Sequence, residues 1–223
     1  ARAPRPGRTA RSVRPFRALG LRLTEAPTQQ NEERDVADLT TYSLRDSGGL
    51  SLDAVSVAPP RPFWTPLPGP LPGRLVTGTL PPEDRARFLL RLPKDWNGGL
   101  VVSAAPGLTN EHGYDLYWSD FLIMNGYAFA CMDKGLRATL DGDIFYVPLD
   151  ESNRARHWLK RFQELTAFSA EKASRRYGRA PERVYAVGVS NGGYLVRRLL
   201  EESPALVHGG VDVSGVLWRE ERN

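Results

Sequence analysis

Ser190 stands in the run Gly188-Val189-Ser190-Asn191-Gly192-Gly193, a G-x-S-x-G pattern centred on an alcohol. A serine hydroxyl becomes a nucleophile only when a base takes its proton and fixed donors stabilise the oxyanion that forms. The glycine spacing suits that task. A strand turning sharply into a helix lifts the serine clear of the sheet, and a side chain two positions before or after it would strike neighbouring backbone. Ser190 is therefore the candidate nucleophile, with Gly188 and Gly192 as the elbow glycines. The backbone N–H of Asn191 is expected to face the oxyanion, aided by the positive end of the helix dipole. A second donor is expected from the loop Ala105-Pro106-Gly107-Leu108-Thr109-Asn110, through the N–H of Leu108, with Gly107 admitting a substrate carbonyl. The bland alternatives are an ordinary strand-to-helix loop at Ser190 and an ordinary Pro-Gly turn at residues 106–107.

The elements that must position these groups are legible on both sides. Arg183 to Val189 is short, apolar and β-branched, as a central parallel strand should be. Tyr194, Leu195, Leu199 and Leu200 then recur at helical spacing until Pro204. Upstream, Ala86–Leu92, Leu100–Ala104 and Tyr127–Met132 read as strands, with a helix over Tyr114–Asn125 closed by Gly126. A long helix is predicted from about Asn153 to Tyr177, carrying Trp158, Phe162, Leu165 and Phe168 on one face. Gly210–Leu217 reads as the last strand. Alternating strands and helices predict an α/β fold, a mostly parallel sheet with helices on both faces.

With the elbow, this order of elements resembles the α/β-hydrolase superfamily over roughly Arg74 to Leu217. Leu92-Pro93-Lys94-Asp95-Trp96-Asn97-Gly98 and Met132-Asp133-Lys134-Gly135 look like hydroxybutyrate-oligomer hydrolases and the tannase and feruloyl-esterase group. One departure weakens the second likeness. Tannase-type enzymes place a cysteine directly before the nucleophile, and here that residue is Val189. The Ser190-Asn191-Gly192-Gly193 run is also similar to prolyl-oligopeptidase-type elbows, although no propeller repeat is visible.

The resemblance implies a serine hydrolase acting on esters through an acyl-enzyme, with no metal or organic cofactor. Its triad would run in the order serine, acid, histidine. Only 33 residues follow Ser190, and their one histidine, His208, comes before the last strand rather than after it. Asp212 lies inside that strand and is expected to pack or pair there, while His112 reads as a surface-loop residue and His157 belongs to the long helix. The catalytic acid and histidine are thus expected outside this chain. The fold is expected to be incomplete at its C-terminus, the last strands coming from a further segment or a second polypeptide. Two other readings stay open: a non-catalytic pseudo-hydrolase that binds without chemistry, and a prolyl-oligopeptidase-like peptidase fragment.

Composition narrows the remaining classes. The net charge of +4 comes from Arg2, Arg5, Arg8, Arg11, Arg14 and Arg17, without which 24 basic face 26 acidic side chains. A solvated arginine leader with few interleaved aromatics disfavours nucleic acid as a partner. The chain divides into a basic, largely irregular arm over 1–60, a proline-rich connector with little regular structure over 61–82, and a hydrolase-like region over 83–223. The single cysteine, Cys131, sits in an apolar run as a packed thiol. No apolar stretch approaches a membrane span. Asp141, Asp143 and Asp150 lack calcium-loop spacing and read as solvated turn carboxylates. Tyr114, Tyr117, Phe145 and Tyr146 suit either an aryl substrate or ordinary packing.

Overall fold

The computed structural model describes residues 31–40, 69–80, 86–107, 110–114, 118–134 and 154–217. Its strands are β1 (Glu32–Val36), β2 (Gly73–Leu80), β3 (Ala86–Pro93), β4 (Gly99–Ala104), β5 (Ala128–Met132), β6 (Arg183–Val189) and β7 (Gly209–Val213). Its helices are α1 (Asp120–Met124), α2 (Arg154–Tyr177) and α3 (Asn191–Glu202). The strands form one sheet in the order β1-β2-β3-β5-β4-β6-β7. From β5 through β4 and β6 to β7 every pairing is parallel, while β1, β2 and β3 join in antiparallel fashion, as β3 does to β5. Parallel neighbours need crossovers. Here α1 follows β4, α2 follows β5 and α3 follows β6.

Two apolar layers explain why the helices settle on opposite faces. On one, Trp158, Phe162 and Leu165 of α2 and Leu195 and Leu199 of α3 pack against Leu90, Val102, Ala130 and Ala186. On the other, Ile123 of α1 and Tyr114 cover Leu89, Val101, Phe129 and Cys131. Every residue of β4 and β5 is buried, which accounts for their unbroken apolar runs. The packed thiol of Cys131 belongs to this interior. None of the described helices is long and apolar enough to cross a membrane.

The strand holding Ser190 and the long helix lie close to their expected bounds, but three expectations give way. Residues 73–80 form a regular strand inside the stretch read as a connector with little regular structure. The prolines stop at Pro72 and resume at Pro81, so every intervening residue keeps the N–H that pairing with β1 and β3 requires. With β1 drawn from the arm as well, boundaries at 60 and 82 do not separate the sheet from what precedes it. The helix expected over Tyr114–Asn125 is described only over Asp120–Met124. Just before it the Ser119 N–H reaches back five residues to the Tyr114 carbonyl, a widened turn, and Arg91 Nη1 donates to Ser119 Oγ at 2.5 Å. The last strand ends at Val213 rather than Leu217, because Ser214 turns the chain with φ of 50°.

Candidate active site

Ser190 lies between the last residue of β6 and the first of α3, with φ of 57° and ψ of −123°. A non-glycine residue in that region costs about 1–3 kcal/mol, so the surroundings must over-determine it. They do. The Ser190 N–H donates to the Val213 carbonyl at 3.1 Å, and the Ser190 carbonyl accepts from Tyr194 and Val216 at 3.1 and 3.2 Å. The residue is half-buried.

Backbone crowds the glycines on both sides of Ser190. A Cβ on Gly188 would come within 2.3 Å of the Gly192 carbonyl, and one on Gly192 within 2.5 Å of the Ala104 carbonyl. Gly193 proves equally constrained, with a Cβ there 2.1 Å from Asp212 Oδ1. The first turn of α3 therefore lies directly on the end of β4 and on the start of the 105–107 loop. Asn191, 7% exposed, begins α3, and its side-chain Nδ2 donates to the Gly107 carbonyl at 3.1 Å. Leu108, the expected second oxyanion donor, lies outside the described residues, as do Tyr117, Asp141, Asp143, Phe145, Tyr146 and Asp150.

Two side chains at this site escaped the sequence reading. The hydroxyl of the fully buried Tyr114 accepts from the Val189 N–H at 2.8 Å, one residue before Ser190. The same oxygen is what a Cβ on Gly192 would meet at 2.6 Å. Lys134, also fully buried, donates its Nζ to the carbonyls of Ala105 and of Gly107, the latter at 3.1 Å. Burial pushes its ammonium down to about 8, against the neighbouring Cys131 and Asp133, which favour the charged form. The signal for Lys134 was present: a lysine that directly follows a buried strand and an acid must bring its charge to a partner. Tyr114 offered no signal, because an aromatic at an apolar helical position looks the same whether or not its hydroxyl is used.

Among the described residues no histidine is hydrogen-bonded to Ser190. His208 Nδ1 accepts from the Val184 N–H at 3.1 Å, at the start of β6, about 20 Å along the strand from Ser190. His112 is exposed, and His157 is buried on α2. Asp212 pairs with Arg197 of α3 at 3.3 Å, as an in-strand carboxylate was expected to do. Among the described residues the Ser190 hydroxyl makes no hydrogen bond. The strained turn at Ser190 is present, and no described histidine is hydrogen-bonded to it.

No protein-family profile matches the sequence, and no curated protein does. Solved structures do resemble it. Feruloyl esterase B from Aspergillus oryzae aligns with a TM-score of 0.57 at 14% identity, over 82% of this chain and 34% of that one. Tannin acyl hydrolase from Aspergillus niger aligns with a TM-score of 0.53 at 15% identity, over 85% of this chain and 33% of that one. Another Aspergillus oryzae esterase gives 0.53 at 12% identity, over 84% of this chain and 34% of its own. At such identities the likeness establishes the fold, which is that of an α/β-hydrolase. The chain spans about a third of the length of these neighbours.

Proposed function

We propose that this α/β-hydrolase fold carries the nucleophile half of a serine esterase. Ser190 Oγ attacks an ester carbonyl, a base takes its proton, the alcohol leaves, and water hydrolyses the acyl-enzyme. The N–H groups of Asn191 and Leu108 hold the oxyanion between them. The observation that carries this reading is the Ser190 backbone. Its φ of 57° is held by bonds to Val213, Tyr194 and Val216 in a half-buried residue. Strain held at a serine where a strand meets a helix N-terminus supports a chemical role for that serine. The ester as substrate class follows the solved neighbours, two esterases and a tannin acyl hydrolase.

The base and the acid come from polypeptide outside the described residues, supplied by a further segment or a second chain. The β7 side of the sheet suits such an addition. Among the described residues β7 ends the sheet, and its Val211 and Val213 are 55% and 40% exposed. The experiment is labelling with a fluorophosphonate, which reacts with activated serines. In the full-length protein the label is expected on Ser190 and is expected to vanish in Ser190→Ala. Labelling at another residue, or none, defeats the esterase reading and leaves a fold that binds without chemistry.

A further inference from the structure

We infer that Lys134 is a positioning residue for the oxyanion side of this site, its ammonium holding the 105–107 backbone in register with Ser190. The inference rests on the esterase reading above and adds to it the group that orients the donor loop.

The geometry is specific. Lys134 lies two residues past the end of β5, its Nζ threaded beneath the neighbouring loop to bond the carbonyls of Ala105 and Gly107. The Gly107 carbonyl takes a second donor from Asn191 Nδ2 at 3.1 Å, so one oxygen ties the loop to both β5 and the elbow helix. A planar trans peptide sends the N–H after a carbonyl to its opposite side. Holding the Gly107 carbonyl therefore restrains the peptide group that follows it, which on the esterase reading carries the second oxyanion donor. Gly107 itself has φ of 49° and nothing within 4 Å of where a Cβ would stand, so no side chain of its own steadies it. The lysine does that instead.

Ordinary packing does not account for this arrangement. Lys134 is fully buried and carries φ of 65°, a left-handed backbone unfavourable for a lysine. Its charge lies 5.5 Å from the centre of the Trp158 ring on α2, which supports the cation from the far side. The adjacent Asp133 is already engaged by the Arg87 N–H at 3.0 Å and Arg87 Nε at 3.4 Å. A leucine or methionine would meet the same backbone strain and would fill the space without burying a charge. What only the ammonium supplies is simultaneous donation to two carbonyls.

The test uses the full-length protein, a short acyl ester, and an alkylboronic acid that mimics the tetrahedral intermediate at a reactive serine. In Lys134→Met, kcat and boronate affinity are expected to fall together by about 10- to 100-fold, with KM within about threefold, because a misplaced donor is felt in the transition state. A structural role alone would lower the melting temperature without separating kcat from KM. If Lys134→Met does not fold, Asn191→Ala carries the same comparison, since it removes only the other side-chain donor to Gly107. Unchanged boronate affinity in a folded variant overturns the inference and leaves the esterase reading standing. An equal rise in KM and loss of boronate affinity marks general damage to the site and overturns it too. Failure of fluorophosphonate to label the unaltered protein removes both.

Discussion

The two ends of the parallel strands are built on opposite principles. At the carboxyl ends of β5, β6 and β7 stand Lys134, Ser190 and Ser214, the only non-glycine residues with positive φ among those described. Buried polar groups gather there as well, in Lys134, Asp133, Asn191 and the Tyr114 hydroxyl. The amino ends hold none of this strain. Trp96 stacks on Tyr177 with centroids 4.1 Å apart, Arg179 lies over the same indole at 4.8 Å, and Trp96 Nε1 donates to the Gly99 carbonyl at 2.8 Å. The Tyr177 hydroxyl donates to the Pro93 carbonyl at 2.6 Å, and His208 satisfies the Val184 N–H. One end is optimised for stability, and the other gives some up for geometry. Ligands of open α/β sheets bind beyond the carboxyl ends of the strands, and the strain in this sheet lies at that end.

The contrast can be broken by experiment. Gly188→Ala is expected to have the largest effect, a loss of about 3 kcal/mol or more in denaturant unfolding, since backbone rather than a flexible side chain blocks the new methyl. Ser190 labelling should disappear with it. Tyr114→Phe leaves the N–H of the half-buried Val189 without its acceptor, at a cost of about 1 kcal/mol or more. Its labelling rate should fall as well, because that amide directly precedes Ser190. At the quiet end, Tyr177→Phe removes one hydrogen bond to Pro93 and should cost about 1 kcal/mol with no change in labelling. A drop in Ser190 reactivity there would erase the division between the ends.

Smaller effects sharpen it. The Lys134 ammonium is held down to about 8, against 10.5 for a free lysine. Below pH 8 folded and unfolded chains carry the same proton at this site, and between about 8 and 10.5 only the unfolded chain keeps it. Stability contributed by Lys134 therefore rises with pH through that window. Relative to Lys134→Met, the unaltered protein should gain under about 1 kcal/mol between pH 7 and pH 8.5 in parallel denaturant titrations. A relative loss would reverse the sign and with it the assignment of burial as the cause. Smallest of all, His208→Ala should change stability by about 0.5 kcal/mol and leave labelling unaltered. Abolished labelling would make His208 the base despite its place at the far end of β6.

The sequence alone determined the strand, the turn and the helix around Ser190. Apolar β-branched runs, glycine spacing and helical periodicity are local properties, and each is written in consecutive residues. The same logic located Arg183–Val189 and the long α2 helix, and it excluded His208 from its position before the last strand. It failed at Gly73–Leu80, where flanking prolines masked a regular strand between them. Tertiary structure alone decided that Tyr114 braces Val189, that Lys134 and Asn191 meet on the Gly107 carbonyl, and that Gly193 yields its space to Asp212. These contacts join residues 19 to 84 positions apart. They depend on which strands become neighbours, and the β5-β4-β6 order that brings their ends together is set by crossovers over the whole sheet rather than by any local pattern.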